Sequence, residues 1–307
     1  MVNVVRLKSQ QKVIGRAQEG EKHAVRIALV QMRCGSDSAE NLRRALFHIE
    51  TAVKRGAEIV CLPELFLGPY FCQKMEDTRA FARAEPIPGP TTARLSEVAR
   101  THRIVLIGGS LFEQSTRRRF YNSAPIFGTD GALLGVHRKV HIPEDLLFHE
   151  QRYFAPGNTG IKVFTTPFGK IAVLICFDQW FPEAARLATL QGAEIIFYPT
   201  AIGKIDERVE ENITGDWQAM WRNVQLGHSA ANNVYVAAVN RVGREGSLTF
   251  WGGSFVADPS SQVLAVAGDK EQIVIADCDF GRVKQMQAAW GFLRNRRPDT
   301  YKRLLKS

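Results

Sequence analysis

The residue with the clearest chemical potential is Cys176, which directly follows the apolar run Ile171-Ala-Val-Leu-Ile175. That run is typical of a buried strand, and a helical pattern begins shortly afterwards at Pro182. A thiol at a strand-to-helix turn lies close to free backbone N–H groups, which favour a thiolate and stabilise an oxyanion. The pattern is compatible with a nucleophilic cysteine, but taken alone it fits a cysteine that merely ends a buried strand better.

Two charged residues also lie at the ends of predicted strands. Glu64 follows Cys61-Leu-Pro63, and Lys139, in the segment Arg138-Lys-Val-His-Ile-Pro143, closes the predicted strand over 133–140. Ligand sites of α/β proteins collect at strand ends. Singly, each residue fits an ordinary surface position better, but together they would supply a base and a cation to a thiol.

The elements that must position these residues alternate along the chain. Short runs rich in β-branched residues predict strands, and apolar positions at helical spacing predict helices. The predicted strands cover 25–32, 58–62, 104–113, 122–127, 133–140, 161–165, 170–176, 194–198, 233–240 and 272–277, and the predicted helices 41–54, 91–101, 182–191, 215–233 and 280–289. Hairpins are predicted around Thr129-Asp-Gly131 and Pro167-Phe-Gly169, with a last one over 250–267.

Helices interleaved with buried strands and hairpins imply an α/β fold in which helices cover more than one mixed sheet. The pattern leaves the strand order open. The sequence contains no repeat, low-complexity segment or linker, so we expect one main domain.

Composition narrows the function classes. The 307 residues are 45% hydrophobic and 23% charged, as in globular proteins. The net charge of +9 comes from scattered Lys and Arg, with clusters at 117–119 and 294–297 but no aromatic-interleaved basic stripe, so we expect no nucleic-acid partner. The first twenty-odd residues lack the apolar core of a signal peptide, and no stretch suits a membrane span.

The cysteines indicate a reducing compartment. There are five, an odd number, and no two form a CxxC pair. This argues against a disulfide framework and against a zinc site. We therefore expect a cytoplasmic protein without a metal.

Taken together, three segments resemble the nitrilase superfamily of carbon–nitrogen hydrolases. They are Leu62-Pro-Glu-Leu-Phe66, His137-Arg-Lys-Val-His141 and Ile175-Cys-Phe-Asp178, in the family's order, and the resemblance runs from about Val25 to Tyr301. It implies a four-layer α-β-β-α sandwich of two mixed sheets, catalysis without a cofactor, and homo-oligomers of two or more subunits. It also implies an N-terminal arm over 1–23, a hydrolase domain over 24–290 and a tail over 291–307 that packs on a partner subunit.

Further segments are similar to the N-carbamoylputrescine amidase branch of that family. They are 70–73, 141–143, 176–186, 191–203, 240–243 and 290–298. In that branch an acidic residue shortly before an aromatic pair is an auxiliary glutamate, and Glu150 matches this position ahead of Tyr153-Phe154.

The resemblance assigns roles that suit the residue types. Glu64 would be the general base, Cys176 the nucleophile, and Lys139 with the backbone N–H of Phe177 the oxyanion donors. Lys139 should also lower the pKa of the thiol. Glu150 would orient Lys139 and the substrate nitrogen. His141 could act as a third catalytic base but fits better as a residue that orients its loop.

The implied substrate is a small carbamoyl-amine or amide, with N-carbamoylputrescine or a similar ureido-amine first. Related D-amino-acid carbamoylases carry two arginines where this chain has Gln179-Trp180, which disfavours a carboxylate-bearing substrate. An ammonium-ended chain could be held by Tyr70, Asp178, Trp180 and Glu183. Asp178 and Glu183 fit equally well as helix caps or ties.

Alternatives remain open at this point. An aliphatic amidase, a nitrilase or another N-carbamoyl amidohydrolase of the same superfamily would share the motifs, and a non-catalytic binding member is a further reading. The segment Glu144-Asp-Leu-Leu147 replaces a Gly-Pro-Gly loop of the plant enzymes beside the pocket, which bears on chain length and charge preference.

Overall fold

The computed structural model describes residues 24–115, 119–206 and 215–305. The predicted N-terminal arm, residues 1–23, lies outside these ranges, as do Arg117 and Arg118 of the first basic cluster and the last two residues of the predicted tail.

The described residues form strands and helices close to the predicted ones. The strands are β1 (Val25–Gln31), β2 (Ile59–Cys61), β3 (Val105–Ile107), β4 (Leu111–Gln114), β5 (Phe120–Phe127), β6 (Leu133–Arg138), β7 (Glu144–Asp145), β8 (Phe148–His149), β9 (Val163–Thr166), β10 (Gly169–Val173), β11 (Ile195–Pro199), β12 (Gly203–Ile205), β13 (Tyr235–Val239), β14 (Val242–Glu245), β15 (Leu248–Trp251), β16 (Phe255–Ala257), β17 (Val263–Val266) and β18 (Gln272–Cys278). The α-helices are α1 (Ser38–Lys54), α2 (Pro90–His102), α3 (Pro182–Leu190), α4 (Trp217–Asn232) and α5 (Phe280–Trp290).

Two large mixed sheets carry the fold. The first has the order β18-β1-β2-β3-β5-β4, with β6 paired to β5, and the second has the order β17-β16-β13-β11-β10-β9. Strands β1, β2 and β3 run parallel, as do β10, β11 and β13, while the other pairs in both sheets are antiparallel. This is the predicted pair of mixed sheets.

The alternation of side chains along β1 shows how the layers stack. Ile27 and Leu29 pack into the core shared with the second sheet, whereas Ala28 and Val30 face the core under α1 and α2. On the far side, α3 and α4 cover the second sheet, so that Ala185 and Trp221 join the shared core. The result is the four-layer α-β-β-α sandwich that the sequence predicts.

The predicted strand over 104–113 is wrong, because the chain bends in its middle to give β3 and β4. Gly109 lies at the bend with φ of +61°, and a Cβ there would come within 2.2 Å of the Pro63 carbonyl oxygen. Only glycine allows so close an approach at this φ. The hydroxyl of Ser110 then accepts a hydrogen bond from Leu65 N at 3.0 Å, so the bend supports the segment that carries Glu64.

The last predicted hairpin is also wrong in extent. Phe250 and Trp251 belong to β15, which pairs with β12 and β14 in a separate three-stranded sheet, and the hairpin itself is β16–β17. A two-stranded sheet, β7–β8, lies in the loop before Glu150. Strands β7, β8, β12 and β15 of these small sheets contribute residues to the wall of one cavity.

Candidate active site

Four segments converge at one end of the two large sheets. Glu64 follows β2, Lys139 follows β6, and Cys176 follows β10 as the first residue of the 3-10 turn Cys176–Trp180. Glu150 begins another 3-10 turn, Glu150–Arg152, just after β8. Each predicted catalytic residue therefore stands at or shortly after the end of a strand.

Lys139 lies at the centre of the cluster. Its Nζ is 2.9 Å from Oε1 of Glu64 and 2.7 Å from each carboxylate oxygen of Glu150. The side chains of all three residues are buried. Two carboxylates thus share one ammonium away from water.

Two neutral side chains complete the hydrogen bonds of this cluster. Asn122 Nδ2 donates to Oε1 of Glu64 at 2.7 Å, and the Tyr70 hydroxyl donates to Oε1 of Glu150 at 2.7 Å. Oε2 of Glu64 is buried and accepts no hydrogen bond from any residue in the described part of the chain. A buried carboxylate oxygen without a donor is costly, and such groups often have a catalytic role.

The charges of Glu64, Lys139 and Glu150 all affect the pKa of the Cys176 thiol. Burial raises the pKa of its thiol well above the usual value, the charges of Glu64 and Glu150 raise it further, and Lys139 lowers it. Lys139 lowers this pKa, as expected, but burial and the two carboxylates outweigh its effect. The resting nucleophile is therefore a thiol, which needs a base to remove its proton.

The pKa values of Lys139 and Glu150, the neighbours of the thiol, are also raised. Burial would lower the pKa of Lys139, but Glu150 and Glu64 outweigh it and raise that pKa well above its usual value. Burial also raises the pKa of Glu150, against the opposing effect of Lys139. The lysine remains an ammonium throughout the ordinary pH range.

The backbone presents Cys176 in an uncommon conformation. Its φ is +42°, in the left-handed region that residues other than glycine seldom adopt. Such conformations cluster at functional sites because the surrounding structure has to hold them. The turn also leaves the Phe177 N–H at the first turn of a helix, where no intrahelical acceptor exists.

A cavity of about 340 Å³ opens over the sulfur. Cys176, Phe177 and Glu150 lie in its wall, and so do the charged side chains Asp145 and Lys204. The rest of the lining is mostly apolar and comprises Pro143, Leu146, Phe148, Trp180, Ile202, Gly203, Ile205, Trp217, Met220 and Trp251. Its volume suits a small ligand.

Of the predicted substrate-binding residues, the structure brings only Trp180 to this cavity. Tyr70 is buried behind Glu150, and Glu183 is exposed in the first turn of α3. Asp178 is fully buried and hydrogen-bonded to His137 and His141. None of these three lines the cavity.

Asp145 and Lys204 were not predicted as individual residues of the cavity. The available signal for Asp145 is its place in the segment 144–147, which the resemblance puts beside the pocket. Lys204 lies in β12, a short strand with no periodic pattern.

Other kinds of site find little support in residues 24–115, 119–206 and 215–305. These ranges contain no group of three or more His, Cys, Asp or Glu side chains placed to hold a metal ion. They also contain no helix long and apolar enough to cross a membrane.

A buried thiol beside a lysine and two carboxylates, at the end of a helix-covered pair of sheets, defines a cysteine-dependent hydrolase of carbon–nitrogen bonds. Residues 26–288 match the model of the carbon-nitrogen hydrolase family, and the chain belongs to that family, within the nitrilase superfamily.

Known proteins extend the match over nearly the whole chain. The N-carbamoylputrescine amidase of Solanum lycopersicum is 43% identical over 92% of this chain and 95% of its own length. The citrullinase of Francisella tularensis subsp. tularensis is 36% identical over 92% of this chain and 98% of its own length. A carbon-nitrogen hydrolase from Helicobacter pylori G27 has a crystal structure that matches with a TM-score of 0.86, at 37% identity over 92% of this chain and 99% of that chain.

Proposed function

We propose that this enzyme hydrolyses N-carbamoylputrescine or a similar ureido-amine, a compound with a carbamoyl group at one end and an ammonium at the other. The observation that carries the proposal is the arrangement of the cavity. Cys176 and Glu150 lie in a mostly apolar wall that also includes the exposed carboxylate of Asp145. A carbamoyl group at the sulfur would leave an aliphatic chain against the apolar side chains and an ammonium for Asp145.

The first half of the reaction forms a covalent intermediate. Glu64 takes the proton of the Cys176 thiol, and the sulfur attacks the carbamoyl carbon. The ammonium of Lys139 and the backbone N–H of Phe177 stabilise the oxyanion, and each such donor typically contributes about 3 to 4 kcal/mol. Glu64 returns its proton to the departing nitrogen, and ammonia leaves an S-carbamoyl cysteine.

The second half releases the product. Glu64 takes a proton from water, the hydroxide attacks the carbamoyl carbon, and the carbon–sulfur bond breaks as the thiol regains the proton. The N-substituted carbamic acid then loses carbon dioxide to give the free amine. Both halves of the reaction need a base with an oxygen that can accept a proton. Oε2 of Glu64 meets that requirement, because it accepts no hydrogen bond from the described residues.

Glu150 has a different role in this scheme. Both of its oxygens are 2.7 Å from the ammonium of Lys139, and it also lies in the cavity wall. We assign it to holding Lys139 in place and to accepting a hydrogen bond from the substrate nitrogen. Trp180 is proposed to contact the aliphatic chain.

A second candidate is a ureido compound that carries a carboxylate, of which citrulline is an example. The presence of Lys204 in the cavity wall favours it, since its ammonium could pair with a substrate carboxylate. The 36% identity to a citrullinase favours it as well. Asp145 and Lys204 thus point to opposite substrate charges at the same cavity.

The test is a profile of ammonia release from N-carbamoylputrescine, citrulline, a neutral aliphatic amide and an aliphatic nitrile, with Cys176→Ala as the control. We expect the highest kcat/KM with N-carbamoylputrescine and no turnover by the variant. A higher value with citrulline would establish the second candidate. No ammonia from either ureido compound would overturn both.

We further propose that the enzyme is a cytoplasmic homo-oligomer. The cysteines are free thiols, which suits a reducing compartment. Large apolar side chains are exposed on α3, at the end of α5 and in the tail, namely Leu187, Leu190, Trp290, Phe292 and Leu304. Such a group of side chains is typical of a subunit contact. Light scattering of the purified protein would give its mass, and a monomer would contradict the assembly.

A further inference from the structure

We propose that Asp178 is a positioning residue that fixes the ammonium of Lys139 relative to the sulfur of Cys176. The inference rests on the proposed function, since its main effect is on that reaction. Asp178 lies two residues after Cys176, and its side chain is fully buried.

One carboxylate oxygen holds the chain on the C-terminal side of Lys139. Oδ1 accepts hydrogen bonds from Val140 N at 3.2 Å, from His141 N at 2.9 Å and from His141 Nδ1 at 2.7 Å. The imidazole of His141 also stacks on Phe181, with ring centroids 3.6 Å apart. The segment after the lysine is therefore held by two residues of the segment after the cysteine.

The other oxygen holds the N-terminal side and the nucleophile strand. Oδ2 is 3.0 Å from His137 Nε2 and accepts from Ile175 N at 3.0 Å. His137 and His141 flank Lys139 at two residues on either side, and Ile175 immediately precedes Cys176. A single carboxylate thus ties both flanks of the lysine to both flanks of the cysteine.

The charge state of this carboxylate suits the task. Burial would raise the pKa of Asp178, but hydrogen bonds from His137, His141 and the backbone hold that pKa well below its usual value. An ionised carboxylate only accepts, so Nε2 of His137 and Nδ1 of His141 both carry the proton in these contacts. The carboxylate of Asp178 therefore stays ionised and keeps these hydrogen bonds throughout the ordinary pH range.

The consequence for catalysis is geometric. Asp178 does not line the cavity, and within the described part of the chain its carboxylate is hydrogen-bonded to His137, Val140, His141 and Ile175 and not to the three charged residues beside the thiol. Loss of its hydrogen bonds would let the 137–141 segment shift, and a misplacement of about 1 Å can cost roughly 10²-fold in rate.

The experiment compares Asp178→Asn with Asp258→Asn in the full chain. Asp258 is also buried and fixes a turn, since it accepts hydrogen bonds from Ser260 and Gln262 and pairs with Arg282. We expect Asp178→Asn to lower kcat about 10²-fold with KM changed less than about threefold, because the substrate contacts remain. Asp258→Asn should lose thermal stability without this loss of kcat.

A second readout does not depend on turnover. Lys139 lowers the pKa of the Cys176 thiol, so a displaced Lys139 should move the pH profile of iodoacetamide alkylation to higher pH in Asp178→Asn and leave it unchanged in Asp258→Asn. His141→Phe keeps the stacking on Phe181 but removes one of the five hydrogen bonds. The His141→Phe variant should shift the alkylation profile in the same direction but by less. It provides the test if Asp178→Asn does not fold.

The outcomes separate the two proposals. An unchanged alkylation profile in Asp178→Asn and in His141→Phe would overturn the positioning role, as would equal losses of kcat in the two aspartate variants. A wild-type protein that alkylates normally but hydrolyses no ureido compound would overturn the proposed function alone.

Discussion

Glu64 and Asp178 are both fully buried carboxylates, and they differ in how their oxygens are used. Asp178 accepts five hydrogen bonds, shared between both oxygens. Glu64 accepts two on Oε1, from Lys139 and Asn122, while Oε2 accepts none from the described residues. One carboxylate is saturated, and the other keeps an oxygen available.

This difference matches the two proposed roles, in which Asp178 positions other residues and Glu64 takes part in the reaction. A buried oxygen without a donor typically costs about 1 to 3 kcal/mol, so a fold keeps one only where it serves a purpose. In the proposed reaction, this oxygen of Glu64 receives the proton of the thiol. The two carboxylates of β7 differ in a similar way. Glu144 pairs with His149 and Arg152 and lies outside the cavity wall, whereas Asp145 lines the cavity.

The largest expected effect follows from replacing the carboxylate that has a free oxygen. Glu64→Gln keeps the shape and removes the base, so kcat should fall about 10²- to 10⁴-fold. The alkylation of Cys176 should change in the opposite sense. The charge of Glu64 raises the pKa of the thiol, so its loss lets the thiolate form at lower pH, and iodoacetamide should react faster near neutral pH.

Glu113→Gln is the matched control for this prediction. Glu113 is buried like Glu64, but its oxygens are bound by Ser123 and Arg138. It should cost stability, keep kcat within about tenfold and leave the alkylation profile in place. If both glutamine variants lost kcat to the same extent, the contrast between free and saturated carboxylates would have no functional meaning.

The sequence predicted those features that local patterns encode. The strongly periodic segments gave β1, α1 and α3 to within three residues at each end, and the four-layer sandwich followed from resemblance. Glu64, Lys139 and Cys176 were predicted because each lies at the end of a predicted strand and the three segments together match the motifs of the family. Glu150 required the resemblance, since the short 3-10 turn that carries it has no periodic pattern.

What the sequence left open depends on contacts between distant segments. Asp178 fitted a substrate contact and a tie equally well, and only its proximity to residues about forty positions earlier separates the two. The strands β12, β14 and β15 are three or four residues long and pair with one another outside the large sheets. Such strands form through tertiary contacts that override weak local preference.

A smaller effect is expected at the cavity. Asp145→Asn should raise KM for N-carbamoylputrescine about three- to tenfold and leave kcat nearly unchanged, because an exposed ion pair contributes roughly 1 kcal/mol. A neutral amide should be unaffected. Steady-state kinetics at low and high salt would check this, since screening weakens the same contact.

Glu144→Gln provides the comparison, because it removes a neighbouring carboxylate that already has partners and does not line the cavity. Its KM should match that of the wild type. A rise in KM for the neutral amide in Asp145→Asn, or a fall in KM for citrulline without any change for the amine, would show that Asp145 does not recognise the ammonium.

The smallest effect is expected when a buried carboxylate loses one of its hydrogen-bond donors. Tyr70→Phe removes a donor from Glu150, and that hydrogen bond lowers the pKa of Glu150. The pKa should therefore rise further, and the acidic limb of kcat/KM should move to higher pH, while the optimum rate stays within about threefold. Tyr153→Phe is the control, because the hydroxyl of Tyr153 donates to the Lys74 carbonyl instead. An acidic limb that stays in place while the alkaline limb moves to higher pH in Tyr70→Phe would mean that Glu150 acts in its protonated form, and its assigned role of holding Lys139 as a carboxylate would have to be given up.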